Sequence, residues 1–196
     1  MVQEDARSRR RSAIAAEAEK VFYREGFAQV GIDRIAEASG VALATLYRHF
    51  KGRRGLVIAA MEERERRYFA ALEAAAAGLS GEARVLSLFA GLCGWAEENG
   101  GNGCLFLRAA AAHPDDPAIR AVAAAHKRAY LELVRRRLAE GGWPPEEAAA
   151  LAPELFLLLE GAVASAGLLG DEAAQASASA AARRLLRERP PGRSAA

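Results

Sequence analysis

Four hydrogen-bonding side chains, Thr45, Tyr47, Arg48 and His49, fall within five positions of the stretch GVALATLYRHF, residues 40–50. Such a density of donors on a short segment suits a polyanion. Thr45, Tyr47 and His49 are fitted to phosphate oxygens, contacts that fix register without reading sequence. Arg48 has the reach for a guanine edge or a phosphate. Leu43 and Ala44 let the backbone approach a groove and can touch a thymine methyl. Val41, Leu46 and Phe50 have the complementary spacing, that of a face turned to a core. Tyr47 or His49 alone would be an ordinary surface residue. It is the set, following Gly40, that points to nucleic acid.

Other residues with chemical potential lack that organisation. Cys104 reads as a small buried hydrophobe, because no base and orienting partner stand at useful spacing. His113, Asp115, Asp116 and His126 show no metal-ligand pattern, so neither a metal nor a cofactor is expected. His126 falls on the apolar stripe of its helix, which suits a core histidine or a ligand contact. Trp95, Phe106 and Tyr130 read as core. The chain is expected not to be an enzyme; a helical enzyme using Cys104 and His126 is one alternative, and thiol alkylation would reveal it. A helical small-molecule-binding or interaction protein without DNA binding is the other.

The elements that must position these residues are helical. Apolar residues make up 52% of the 196 residues and aromatics only 7%, so the apolar material is aliphatic and rich in alanine, a strong helix former. Apolar spacing and glycine stops predict a helix from about Ser8 to Glu25, after a disordered start over residues 1–8. Short helices over 32–39 and 42–50 follow, separated by Gly40, whose left-handed freedom suits a tight turn. Longer helices are expected at about 53–77, 82–98, 104–113, 117–140, 146–169 and 171–188. The helix beginning at Pro117 has Asp116 as its N-cap. Two helices joined by a glycine turn, the second bearing exposed donors, describe a helix-turn-helix.

Charge is unevenly placed. Residues 1–54 carry eleven Lys or Arg against seven Asp or Glu, and the remainder sixteen against eighteen. A basic N-terminal end on a near-neutral body fits a polyanion partner. The N-terminus lacks an apolar leader, and the most apolar stretch, 151–170, is broken by Pro153, Glu154 and Glu160, so no membrane span is expected. Two cysteines without a CxxC fit a reducing, cytoplasmic setting.

The segment FAQVGIDRIAEASGVALATLYRHFKGRRGL resembles the DNA-binding domain of TetR-family transcriptional regulators. The pairs Ile35-Ala36, Gly40-Val41, Thr45-Leu46-Tyr47 and His49-Phe50 carry the resemblance, over roughly residues 9–60. NGCLFLRAAAAHPDDP, further on, is similar to one broad subgroup. Departures occur at Gly31 and Ala42, where the family has hydroxyl caps, and at Arg53 and Arg54, where a lysine and an acid are usual. The expected DNA contacts are Gly31, Leu43, Ala44, Thr45, Tyr47, Arg48, His49, Lys51 and Arg53 at positions of the family's motif, with Arg9, Arg10 and Arg11 of the basic arm adding a groove or backbone contact. The resemblance implies an effector site drawing on Trp95, Cys104, Phe106, His126 and Tyr130, for a small, largely apolar molecule. It further implies a homodimer through the last two helices, at Leu151, Leu155, Leu158, Leu159, Leu168, Leu169 and Leu185.

The expectation is therefore an all-α protein with a three-helix helix-turn-helix domain (1–52, with a basic arm over 1–11). A roughly six-helix effector-binding and dimerisation domain (53–188) and a disordered tail (189–196) would follow. The function expected is repression from a near-palindromic operator in double-stranded DNA, relieved by the effector.

Overall fold

The computed structural model describes residues 2–169 and 173–192, which contain nine α-helices and no strand. They are α1 (Val2–Glu25), α2 (Ile32–Ser39), α3 (Leu43–Phe50), α4 (Arg53–Ala75), α5 (Gly81–Asn99), α6 (Leu105–Ala112), α7 (Pro117–Glu140), α8 (Pro145–Leu169) and α9 (Ala173–Glu188). The all-α expectation and the order of three short-spaced helices followed by six hold.

The two ends depart from expectation. Instead of a disordered start and an arm, α1 is helical from Val2. No glycine or proline interrupts Val2–Glu25, and its many alanines and arginines are good helix formers. The helix therefore propagates backward from its packed half, since extension needs no new nucleus. At the other end, Arg189 is fixed rather than disordered. Its carbonyl accepts a 2.6 Å bond from the Trp143 indole, and its guanidinium donates to both oxygens of Glu154 at 2.7 Å. Residues 193–196 and residues 171–172, where the last helix was expected to begin, lie outside the described residues.

Contacts divide the chain into two units. One comprises Met1–Arg67 with Leu105–His126, the other Tyr68–Cys104 with Lys127–Ala196. The first thus takes in α6 and the start of α7 as well as the three N-terminal helices.

In the second unit α8 packs along α9, and α9 against α5. Leu88, Val134, Leu151, Leu155, Leu159 and Ala182 are wholly enclosed there. The length and composition of α8 would suffice to cross a membrane, but in the fold one of its faces is this core. Among the aliphatic side chains, Tyr130 donates or accepts across a 3.0 Å bond with the Tyr68 hydroxyl. Burial, then the neighbouring Tyr68, pushes the Tyr130 hydroxyl well above its ordinary pKa, so it stays protonated. Arg137 has no exposed surface, and its guanidinium is neutralised by Glu73 at 2.6 Å and Glu140 at 3.1 Å.

In the first unit Ile14, Val21, Phe22, Phe27, Val30, Ile35, Leu46, Phe50, Leu56 and Val57 are buried. The Phe22 and Phe27 rings stack at 4.9 Å. Between α1 and α4 lies a buried ion cluster. Glu19 is 1% exposed and receives Arg64 at 2.6 Å on one oxygen and Arg67 at 3.0 Å on the other. Arg64 is itself buried and lies over the Tyr23 ring at 4.2 Å. A pair removed from water this completely adds little net stability, but breaking it strands a charge.

Replacing Glu19 by Ala is accordingly expected to destabilise the protein by about 3–5 kcal/mol, because the buried Arg64 loses the carboxylate 2.6 Å away. Urea unfolding of the two proteins measures the difference. A loss under about 1 kcal/mol would mean that Arg64 finds water on its own.

Candidate nucleic-acid interface

The reading unit is built from two eight-residue helices and one turn. Helix α2 ends at Gly40, whose φ of 62° and ψ of 33° place it in the left-handed region that glycine adopts without strain. Its N–H and that of Val41 return to Glu37 and Ala36 carbonyls at 3.1 Å, which closes the helix and reverses the chain. Helix α3 then starts without a side-chain cap, as Ala42 requires, and α2 likewise starts uncapped at Gly31. The α3 C-cap is Lys51, at φ 54°, the one non-glycine with positive φ among the described residues. A lysine there costs about 1–2 kcal/mol relative to glycine.

With Leu46 and Phe50 buried, the outer face of α3 is set. Tyr47 is 51% exposed, Leu43 37%, and Ala44, Arg48 and Lys51 are exposed, while Thr45 and His49 are half-buried. Gly31 lies exposed at the start of α2. Arg9, Arg10 and Arg11 are exposed on α1, and Arg11 stands 5.3 Å over the Phe50 ring, beside α3. His49 is surrounded by cations. Burial first, then Arg48, Arg7, Arg10 and Arg11, lowers its pKa below the usual histidine value. The neutral ring is therefore favoured near neutrality, and the field that disfavours its proton is a field that attracts anions.

Arg53 is placed differently from the other expected contacts. Its guanidinium donates to the carbonyls of Phe27 and of Val30, the latter at 3.4 Å, and meets His113 Nε2 at 2.8 Å. The other ring nitrogen of His113 lies 2.9 Å from the Ala109 carbonyl, which can only accept. Nδ1 therefore carries the proton and Nε2 accepts from Arg53. Next to it, Arg54 binds Asp116 at 2.6 Å. Burial would raise the Asp116 pKa, but Arg54 and the N–H groups of Ile119 and Ala118 outweigh it and hold the carboxyl below its ordinary value. Sequence spacing put Arg53 beside the phosphate-facing residues; it could not show three acceptors waiting inside the protein.

The residues expected around an effector fall in both units. Phe106 and His126, in the first, stack face to face at 3.5 Å with ring planes 3° apart. His126 Nδ1 also meets Glu65 at 2.8 Å, a carboxyl whose pKa is raised, mainly by burial. Trp95 and Tyr130, in the second, both present edges or faces to Tyr68, at 5.4 and 5.6 Å. Cys104 Sγ lies 3.3 Å from the ammonium of Lys127, which is itself bound to Glu160 at 2.6 Å. His113, Asp116 and His126 are thus engaged by Arg53, Arg54 and Glu65 respectively.

The residues expected at a dimer face divide by depth. Leu151, Leu155 and Leu159 are buried in the chain's own core, Leu158 and Leu185 are partly buried against it, and Leu168 and Leu169 are 87% and 73% exposed. Leu157, which sequence reading passed over, is 68% exposed. In so apolar a helix as α8 the pattern alone does not single out the outer face.

Residues 14–60 match the family profile described as bacterial regulatory proteins, tetR family. No curated protein matches the sequence. Among solved structures, a TetR-family transcriptional regulator from Streptomyces coelicolor is 30% identical, with a TM-score of 0.80 over 95% of this chain and 94% of that one. A TetR transcriptional regulator from Chloroflexus aurantiacus is 23% identical, with a TM-score of 0.76 over 94% and 97%. The TetR transcription regulator of Haloarcula marismortui, at 18% identity, shares the fold with a TM-score of 0.78 over 92% and 98%. The helix-turn-helix, with its outward donors and basic flank, and the end-to-end likeness to the Streptomyces regulator place this chain in the TetR family of transcriptional regulators.

Proposed function

We propose that this regulator is a homodimeric repressor that binds a near-palindromic operator and leaves it when a small, largely apolar effector binds. The observation that carries the reading is the α2–Gly40–α3 unit, with Leu46 and Phe50 inward and Tyr47, Arg48 and His49 outward. Residues 1–52 are its reading head, and residues 53–188 its effector-binding and dimerisation part. Helix α3 enters the major groove. Tyr47, Thr45, His49 and Lys51 contact phosphates and fix its register, and Arg48 reads a base edge. Leu43 and Ala44 lie at the end of α3 that meets the bases. Gly31 offers its backbone to a phosphate. Arg53 acts from inside, by holding the Phe27 and Val30 carbonyls that lead into α2.

A dimer face is available on α8. Leu157, Gly161, Ala164 and Leu168 are exposed, and their spacing of four, three and four residues forms one stripe. Ala173, Ala176 and Ala180 are exposed on α9. Small residues let a second copy approach closely, and the leucines gain cover. The interface proposed is thus Leu157 and Leu168 with Leu169, while Leu151, Leu155 and Leu159 support it from within.

Three outcomes test this reading. Selection from a random duplex pool is expected to yield inverted half-sites, with centres about 34–36 Å apart or a multiple of that. Tyr47→Ala then weakens binding to every duplex alike, whereas Arg48→Ala relaxes preference at one base pair. Recovery of no duplex above non-specific binding would refute operator recognition.

Sedimentation is expected to give a dimer at micromolar concentration, and Ala164→Glu a monomer of unchanged helicity that binds DNA far more weakly, because paired reading heads lose their mutual effective concentration. A wild-type monomer would remove the assembly.

For the effector, coupling is reciprocal. A molecule that lowers operator affinity roughly 5–150-fold must itself bind that much more weakly to the operator complex. Calorimetry with and without operator measures both. Equal affinities would mean that the molecule does not induce release.

A further inference from the structure

Because α1 is helical from Val2, its arginines are held in fixed register instead of trailing as an arm. Arg7 and Arg10 stand three positions apart, on one helix face. With Arg48 and His49 of α3 they line a cleft of about 390 Å³. Among the described residues its lining is three guanidinium groups and one imidazole, with no carboxylate. On the far side of Arg10 a second cleft, of about 350 Å³, includes Glu17 among its walls, which makes it the poorer place for an anion. Arg7 lies outside the span matched by the family profile, residues 14–60.

We propose that in this cleft Arg7, Arg10 and His49 seat one phosphodiester of the DNA backbone, the Arg48 side chain turning to its base edge, and that His49 takes up a solvent proton when the phosphate arrives. The inference rests on the DNA-binding reading above and adds to it Arg7 of α1 and the proton uptake by His49. The physical case is one of like charges. Four cations bear on His49: Arg48 on its own helix, and Arg7, Arg10 and Arg11 from α1. In the free protein, burial and these cations disfavour the imidazolium. A phosphate among them offsets the repulsion and offers an acceptor to the ring N–H, so the protonated ring gains stability in the complex. The histidine pKa is then higher bound than free. DNA affinity therefore rises as pH falls through the bound-state value, and levels off below the free-state value.

The test uses full-length protein, its selected operator and fluorescence anisotropy from 50 to 300 mM KCl. Arg7→Ala is expected to reduce the salt slope by about 0.9 for each half-site, hence about two in a dimer, and to weaken operator and scrambled duplex alike. Arg7→Lys retains most of the slope, and circular dichroism checks that both variants stay helical. If the bound pKa is one unit higher, lowering the pH from 8 to 6 should raise wild-type affinity several-fold per half-site, toward a limit of about tenfold below the free-state pKa, whereas His49→Gln responds flatly. The His49 ring is also titrated by NMR in inorganic phosphate and in the operator complex. Only the duplex should raise its pKa at matched ionic strength. An unchanged slope in Arg7→Ala overturns the phosphate seat while leaving operator binding intact. A pH response shared by wild type and His49→Gln overturns the proton uptake. An equal response to inorganic phosphate makes the cleft a free-anion site. Absence of any duplex binding by the wild type refutes the underlying reading, and this inference falls with it.

Discussion

Glu19 is the constraint on which the first unit depends. A carboxylate with 1% exposure must have its charge answered inside the protein, and here each oxygen takes a different arginine of α4. That geometry allows little freedom. The two arginines are three residues apart, so α4 must present that face to α1 at one height along its axis. Apolar packing would tolerate a sliding or rotated α4 at modest cost; the buried cluster does not, because a displaced Arg64 has no water to turn to. Whatever reading face α1 and α3 build, α4 is indexed to it.

The same logic runs through the N-terminus of α4. Arg53 gathers the Phe27 and Val30 carbonyls and the His113 ring, while Arg54 takes Asp116, the residue that caps α7. Side chains on α4 thus touch the loop entering α2 and the connection between α6 and α7. A shift of α6 or α7 would alter the partners of Arg53, and the chain entering α2 would lose or keep its hydrogen bonds accordingly. Within one unit there is a chain of directional contacts, each with a definite made and unmade state, rather than a soft apolar surface.

Much of this could be read from the sequence, and what could not has physical reasons. Helices α2 and α3 were legible to within a residue because glycine, apolar spacing and donor clustering agree there. The order of the remaining helices was legible from breakers such as Gly78, Gly81, Pro114 and the Asp116-Pro117 pair. Three things escaped. The helical state of residues 2–8 depends on α1 being anchored further on, which composition near the terminus does not reveal. The inward turn of Arg53 depends on carbonyls some twenty residues earlier in the chain. The outer face of α8 is not legible from the pattern, because apolar residues lie on every side of that helix and only packing separates the buried Leu155 from the exposed Leu157.

Helix α3 itself is poorly supplied with local stability. Eight residues are too few for an isolated helix in water. It has no side-chain cap at Ala42, which forgoes about 0.5–2 kcal/mol, and it ends on a left-handed lysine. Arg48 near its C-terminus interacts well with the helix dipole, yet with the α1 arginines it crowds His49 with positive charge and disfavours the imidazolium. What holds it is burial of Leu46 and Phe50 against the helices behind it. Two of these deficits are ones that a phosphate would reduce: an anion near Ala42 answers the uncapped N–H groups, and an anion near His49 answers the crowded cations. On that reading, a substitution that relieved the cation crowding within the protein would stabilise the fold while weakening the attraction of this face for an anion.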